Sequence, residues 1–362
     1  MKILFLSNAS LTSGFIVGSH QLARQYILQG HDVIHVSSPV SILNILKGRV
    51  GLKKLYQSLF GKNTHTHWGF FDLIPFVPFP YGYFGFLDKI DDFFIKQTIK
   101  KYNKNGFDLV LVDQPLFHGV IKYLDSKKIV YRPTDIYSDM GGERFNLAEK
   151  KIIPLASVII ATNKIVLEKL SLKNSIKSFV IENGVDSEFF SSGKSYTEQR
   201  QGCVYIGAID FRFDHEVLVR LAEKYSDIKF DIYGPCVIDV DNKIPNLNYY
   251  GPLSYFELPS MLKKYKVGLL PLNNHPANSG RSPMKLWEYY SSKLLVLRRG
   301  FGNKPLGPWD IIYNDCNDVF SSFEKAYFEE DSELILSETT RKDFSWDYIS
   351  KEIISITVNS DQ

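Results

Sequence analysis

Four residues in one short run have types and spacing that could do chemistry together: Ser282, Pro283, Lys285 and Glu288, within Asn278-Ser-Gly-Arg-Ser-Pro-Met-Lys-Leu-Trp-Glu-Tyr-Tyr290. Ser282 suits a helix N-cap and Pro283 the first helical position, so a helix is predicted to begin there, with Met284 in its first turn. A helix start presents unpaired N–H groups and the positive end of the helix dipole, a setting for an anion such as a diphosphate. Lys285 and Glu288 are three residues apart and share a face. There Lys285 can neutralise phosphate while Glu288 accepts hydrogen bonds from two ribose hydroxyls, leaving Leu286, Tyr289 and Tyr290 for packing. The pattern suggests a nucleoside-diphosphate site; an amphipathic surface helix with a chance Lys–Glu pair is the alternative.

Other candidates sit where apolar runs end. Asp113 follows Leu109–Val112, and Asp135 lies in Tyr131-Arg-Pro-Thr-Asp-Ile-Tyr-Ser-Asp139. A carboxylate in such a loop can act as a general base, or can close an Asx turn or cap a helix. Gly14, Gly18, Ser19 and His20 open a helix after the first apolar run. The two glycines would let backbone approach a phosphate or an acceptor, or simply turn, and Ser19 and His20 equally suit caps. Their spacing is not Gly-x-Gly-x-x-Gly, which removes the main support for a dinucleotide site. Gly207 and Arg212, in Tyr205-Ile-Gly-Ala-Ile-Asp-Phe-Arg212, offer another close backbone approach and a guanidinium for a diphosphate, unless Arg212 is merely solvated.

These residues need a frame, and the hydrophobic pattern supplies it. Strand-like runs at Ile3–Leu6, Val33–Val36, Leu109–Val112, Ile129–Tyr131, Val158–Ala161 and Phe179–Ile181 alternate with helical stretches. After the polar stretch from Ser191 to Gly202 a second series begins: Cys203–Ile206, Lys229–Ile232, Asn248–Tyr250, Val267–Leu270 and Leu294–Leu297. This is the pattern of parallel α/β sheets, whose ligands sit beyond the carboxyl ends of the strands. A chain of 362 residues exceeds what one core commonly serves, roughly 250–300 residues, so two domains are expected. The boundaries read as 1–190, a linker at 191–201, a second domain at 202–343 and a closing helical segment at 344–362.

Composition narrows the classes. Hydrophobic content of 44% with 23% charged residues excludes broad disorder, and a net charge of +3 does not imply nucleic acid. Cys203, Cys236 and Cys316 are odd in number and widely spaced, which argues against a disulfide framework or zinc site and fits a reducing cytoplasm. The first apolar run is too short for a signal peptide, and no run reaches the ~18 apolar residues of a membrane span.

The Ser282-Pro-Met-Lys-Leu-Trp-Glu-Tyr run followed by Leu294-Leu-Val-Leu297 resembles the donor segment of GT-B glycosyltransferases, especially family-4-like members and the glucuronosyltransferase of xanthan assembly. The resemblance extends through Ala156–Thr162 with Asn183-Gly-Val-Asp186, through the Gly207 loop, through Asn246–Leu253, and to Ser345-Trp-Asp347 in a last helix that crosses back onto the first domain. It implies two Rossmann-like domains facing a central cleft, with Tyr250 beside the nucleotide base. In the xanthan-type members the base looks like the Asp of a Tyr-Arg-x-x-Asp loop, which here is Asp135, ahead of Asp113. Retaining family-4 enzymes often carry two glutamates with seven residues between them; the position eight before Glu288 is Gly280, so inversion is expected instead. The class generally needs no metal or cofactor.

Residues 42–101 form a long insertion in which Lys47, Arg49, Lys53, Lys54 and Lys62 accompany apolar residues and precede an aromatic stretch from Trp68 to Phe86. A basic amphipathic helix with aromatics suits an anionic membrane surface, although the aromatics could equally pack as core. The expected function is transfer of a sugar from a nucleotide-diphosphate donor, a UDP-sugar, to a lipid-linked or oligosaccharide acceptor of capsule, exopolysaccharide or lipopolysaccharide assembly. The expected place is the inner face of the plasma membrane. A sugar-nucleotide epimerase and an inactive nucleotide-binding scaffold are the alternatives.

Overall fold

The structure is a computed structural model that describes residues 1–11, 16–43, 52, 54–56, 58–59, 66, 68–172, 176–192, 200–240, 243–329 and 343–359. The chain forms two compact units, Met1–Asn183 with Gly280–Ser282 and Trp346–Gln362, and Gly184–Ser279 with Pro283–Ser345.

The first unit is built on strands β1 (Lys2–Leu6), β2 (Asp32–Val36), β3 (Phe71–Leu73), β4 (Phe107–Val112), β5 (Ser126–Tyr131), β6 (Val158–Ala161) and β7 (Ser178–Val180), in the order β3-β2-β1-β4-β5-β6-β7. Every pairing is parallel. Parallel strands covered on both faces read as unbroken apolar runs, which is why Ile3–Leu6 and Leu109–Val112 are fully buried. One face carries Leu4, Leu6, Val110 and Val112 against Phe117, Val120 and Ile152. Strand order reverses between β1 and β4, which puts Ser7 and Asp113 at the switch point where ligands of such sheets bind.

The second unit has β8 (Cys203–Ile206), β9 (Phe230–Tyr233), β10 (Leu247–Gly251), β11 (Val267–Leu270), β12 (Leu295–Arg299) and β13 (Asp310–Tyr313), in the order β10-β9-β8-β11-β12-β13, again all parallel. Its switch point lies between β8 and β11.

Three features bear on the sequence expectation. Strands β3 and β13 lie at sheet edges and are absent from the sequence expectation: β3 is three residues interrupted by Asp72, and β13 is opened by Asp310 and holds only Ile311, Ile312 and Tyr313 as its apolar run. The first unit ends at Asn183 rather than 190, because Val185 N–H donates to Phe344 O and Phe189 stacks on Tyr255 in the second unit. Part of the 42–101 insertion is ordinary core: Phe70, Leu73, Val77, Ile95 and Ile99 are buried. Lys47, Arg49, Lys53 and Lys62 lie outside the described residues.

Candidate functional site

In the second unit the helix Met284–Ser291 begins one residue later than expected. Pro283 is its N-cap, with φ −74° and ψ 115°, and no side chain caps it. Ser282 is occupied elsewhere: its Oγ accepts the Asn183 N–H at 3.0 Å and its carbonyl accepts Asn183 Nδ2 at 2.9 Å, which is why it packs with the first unit. Leu286 N–H donates to Pro283 O at 3.1 Å, whereas the two N–H groups before it, on Met284 and Lys285, have no intrahelical acceptor by helix geometry, so the helix start keeps its attraction for an anion.

Packing sets the helix's orientation. Tyr289 OH accepts the Ile206 N–H at 2.8 Å, and its ring lies so close to Gly268 that a methyl there would come within 2.4 Å. Tyr290 stacks on Trp309 at 3.9 Å. With that face held, Glu288 is only 1% exposed, and Lys285 Nζ sits 2.5 Å from its Oε2. Its Oε1 has no hydrogen-bond partner among the described residues. A buried carboxylate oxygen left unpaired is costly, and a ligand hydroxyl would satisfy it.

The loops after β8 and β11 are tied together by two asparagines that sequence reasoning passed over. Asn273 Nδ2 donates to Phe211 O at 2.7 Å, and Asn278 Nδ2 donates to Arg212 O and Asn273 O, both at 3.0 Å. Asn278 is buried, and its Oδ1 has no partner among the described residues. Arg212 is not held out for an anion: Asp210 binds it twice, at 3.1 Å and 2.6 Å. Gly207 is small for reasons of packing, since a methyl there would lie 2.5 Å from the Tyr205 hydroxyl, while its own carbonyl would lie 1.7 Å from a methyl on Gly234. Tyr250 is exposed and stacks on Tyr233 at 4.9 Å, an aromatic platform beyond β9 and β10.

In the first unit, Gly14 lies outside the described residues. Gly18 starts the helix Gly18–Leu28, where a methyl would meet Asn183 Oδ1 at 2.9 Å and the Trp346 ring at 3.3 Å. Ser19 and His20 belong to a buried network. Ser19 Oγ contacts Ser7 Oγ at 2.8 Å and His35 Nε2 at 3.0 Å, and His35 Nδ1 meets Asp72 Oδ1 at 2.9 Å. Burial acts to raise Asp72, but hydrogen bonds from His35 and Ser10 outweigh it and hold the carboxyl below its usual range. His20 takes the Val17 N–H at Nδ1 and meets Ala9 O at Nε2. Ligand atoms of His20, His35 and Asp72 lie within 4.8 Å of one another, a spacing that could hold a metal ion. Each of those side chains is already engaged in hydrogen bonds, which an ion would have to displace.

The two candidate bases end in different settings. Asp113 is 4% exposed beside Arg132, 3.3 Å away, and burial pushes its carboxyl up against the opposing pull of Arg132 and His35. Arg132, itself fully buried, also donates to Asn183 Oδ1 at 2.7 Å. Asp135 is partly exposed in the loop after β5, where Thr134 Oγ1 donates to it at 3.1 Å. Beneath that loop Tyr131 OH donates to Glu149 Oε1 at 2.7 Å, and burial pushes the Glu149 carboxyl up to about 7. Asp113, Asp135, Gly18, Ser19, His20 and Ser282 thus group in the first unit, and Gly207, Arg212, Tyr250, Pro283, Met284, Lys285 and Glu288 in the second.

No family model matches the chain. A Bacillus subtilis (strain 168) protein assigned to teichuronic acid biosynthesis as the glycosyltransferase TuaH is 26% identical over 192 residues, covering 46% of this chain and 48% of the relative. The chain therefore spans about half the length of the curated relative it matches. A glycosyltransferase from Rickettsia africae ESF-5 superposes with a TM-score of 0.64 at 14% identity, over 100% of this chain and 98% of the other. HepE of Anabaena, in complex with UDP and glucose, superposes with a TM-score of 0.67 at 13% identity, over 99% of this chain and 100% of the other. Two parallel-sheet α/β units of the GT-B glycosyltransferase architecture are what these likenesses establish.

Proposed function

We propose that the chain is a glycosyltransferase that moves a sugar from a UDP-sugar donor to a lipid-linked or growing surface-polysaccharide acceptor. The observation that carries this is Glu288: a buried carboxylate with one oxygen on Lys285 and the other open, one turn into the Met284–Ser291 helix on a doubly wound sheet. That combination suits a ribose hydroxyl on Oε1 and a diphosphate at the helix start with Lys285. The UDP and glucose held by HepE support the donor class, and the assignment of TuaH to teichuronic acid supports a polysaccharide acceptor.

Transfer would proceed by inversion. The acceptor oxygen attacks the anomeric carbon, Asp135 takes the hydroxyl proton, and the bond from the anomeric carbon to the diphosphate oxygen breaks with its electron pair leaving on the diphosphate. Lys285 and the Met284–Ser291 helix start would stabilise that leaving charge, the part a divalent cation plays in other transferases, so the scheme includes no metal. Asp135 is preferred to Asp113 because it is partly exposed, whereas Asp113 is buried beside Arg132. The enzyme would act at the cytoplasmic face of the membrane. No helix among the described residues is long and apolar enough to cross it.

Titration calorimetry with UDP tests the donor site. Lys285→Met and Glu288→Gln should each weaken binding about tenfold to a hundredfold, the value of a charge-assisted hydrogen bond. Asp135→Asn should bind UDP normally and lose about 10²–10⁴ in turnover. Unchanged UDP binding in both donor-site variants would overturn the site, and retained turnover in Asp135→Asn would overturn the base.

A further inference from the structure

A cavity of about 440 Å³ in the first unit lies between the helix Asp88–Lys100, the segment Pro115–Ile121 and the helix Glu143–Ile152. Lys89, Lys122, Arg144 and Lys151 line it. Among the described residues none of these four cations is in an ion pair within 4.0 Å. The two carboxylates of the lining have other duties. Asp88 accepts the Gly82 N–H at 2.9 Å, and Asp92 accepts the Tyr81 hydroxyl at 2.8 Å. Four cations therefore face two carboxylates in the lining, a surplus of positive charge. His118, also in the lining, registers the surplus: burial lowers its imidazole pKa first, and Lys151 and Lys122 lower it further. Arg144 is pre-oriented, with its guanidinium 4.1 Å from the Tyr83 ring centroid.

Interleaved along the chain with the lining residues Tyr83, Gly85, Lys89 and Asp92 are exposed apolar side chains. Phe84, Phe86, Ile90, Phe93 and Phe94 are all exposed, Phe86 to 76%. A free phosphate or a nucleotide would use the lysines and gain nothing from these side chains. A phosphate-headed lipid uses both, with its head among the cations and its chain or neighbouring lipids against the phenyl rings.

We infer that this cavity and its aromatic flank bind the phosphate or diphosphate head of a lipid at a membrane surface. If the proposed transferase function holds, that lipid is the carrier end of the acceptor, and the inference rests on that reading for its biological role alone. The cations are Lys89, Lys122, Arg144 and Lys151, so the site is separate from the basic run at Lys47–Lys62 that the sequence suggested.

Co-sedimentation of the full chain with vesicles tests the inference, using phosphatidylcholine alone and phosphatidylcholine doped with phosphatidic acid. Binding is expected only to the doped vesicles. Lys122→Glu with Lys151→Glu should weaken it on the order of tenfold or more, since each cation near an anionic surface is worth a factor of roughly five. Phe86→Ser with Phe93→Ser should weaken it as well, and both pairs are surface changes. UDP titration of the same preparations separates the two ideas: vesicle binding without UDP binding would sink the donor site and leave this inference standing, and the reverse would sink this inference alone. Equal binding of all variants to doped vesicles would overturn it. So would inorganic phosphate displacing the vesicles at equal phosphate concentration, which would mark a small-anion site, or single-stranded RNA outcompeting them, which would mark a nucleic-acid surface.

Discussion

Replacing Glu149 by glutamine should stabilise the first unit at neutral pH and leave it almost unchanged in acid. Glu149 lies on the helix Glu143–Ile152 with its Oε1 on the Tyr131 hydroxyl, and burial pushes its carboxyl from 4.5 to about 7 against the small opposing pull of that hydrogen bond. In the unfolded chain the same carboxyl ionises near 4.5. Between about pH 4.5 and 7 the native state therefore holds a proton that the unfolded state has released, so stability falls as pH rises through that window and the penalty is complete above it. A shift of this size corresponds to about 3 kcal/mol at most, at about 1.36 kcal/mol per pH unit, and residual solvation reduces it to about 2 kcal/mol. The glutamine side chain would not titrate yet would still accept from Tyr131. The assay is urea unfolding followed by hydrogen exchange of β4 and β5 peptides, which reports the first unit without the second. Below about pH 4.5 the two proteins should agree within about 1 kcal/mol, and at about pH 8 the variant should be about 2 kcal/mol more stable. A difference that stays constant from about pH 4 to pH 8 would refute the argument, because only ionisation of Glu149 makes it vary.

Two further outcomes follow from the hydrogen-bond geometry. Asn183→Ala removes one of the two partners of buried Arg132, leaving Asp113, and a bond to the Ser282 carbonyl, and should cost about 1–3 kcal/mol in calorimetry, with Gly18→Ala less harmful in that background because the 2.9 Å clash is gone. Tyr289→Phe leaves the buried Ile206 N–H without its acceptor and should cost the second unit about 1–3 kcal/mol, read as a lowered melting temperature.

Much of the frame is local physics and so was legible in the sequence. Strands buried on both faces are largely apolar, and that property located β1, β2, β4, β6 and β8 within a residue or two; in β5 it found only the buried end, because Ser126, Lys127 and Lys128 open that strand. The pairing of Lys285 with Glu288 needs only the helix repeat, which places residues three apart on one face. Strand β3 escaped because its three residues, Phe-Asp-Leu, are too few and too mixed to form such a pattern, and β13 because Asp310 opens it and leaves an apolar run of only three residues.

What only the tertiary structure decided are the partners that lie far apart along the chain and the solvent each group sees. Ser282 reads as a helix cap from its neighbours, yet its Oγ accepts a hydrogen bond from a residue 99 positions away, and nothing in the run 278–290 carries that information. Asp113 and Asp135 occupy the same kind of loop after the same kind of strand. Packing buries the first beside Arg132 and leaves the second partly in water, and a carboxylate's protonation and reach depend on that environment rather than on its neighbours in sequence. Gly207 and Arg212 stand out in the sequence, but the surroundings the fold gives them, Tyr205 and Gly234 in one case and Asp210 in the other, depend on side-chain and loop placement. Backbone periodicity is set by a few adjacent residues, whereas burial and hydrogen-bond partners are set by the whole fold, and that difference separates what this sequence determined from what its structure had to decide.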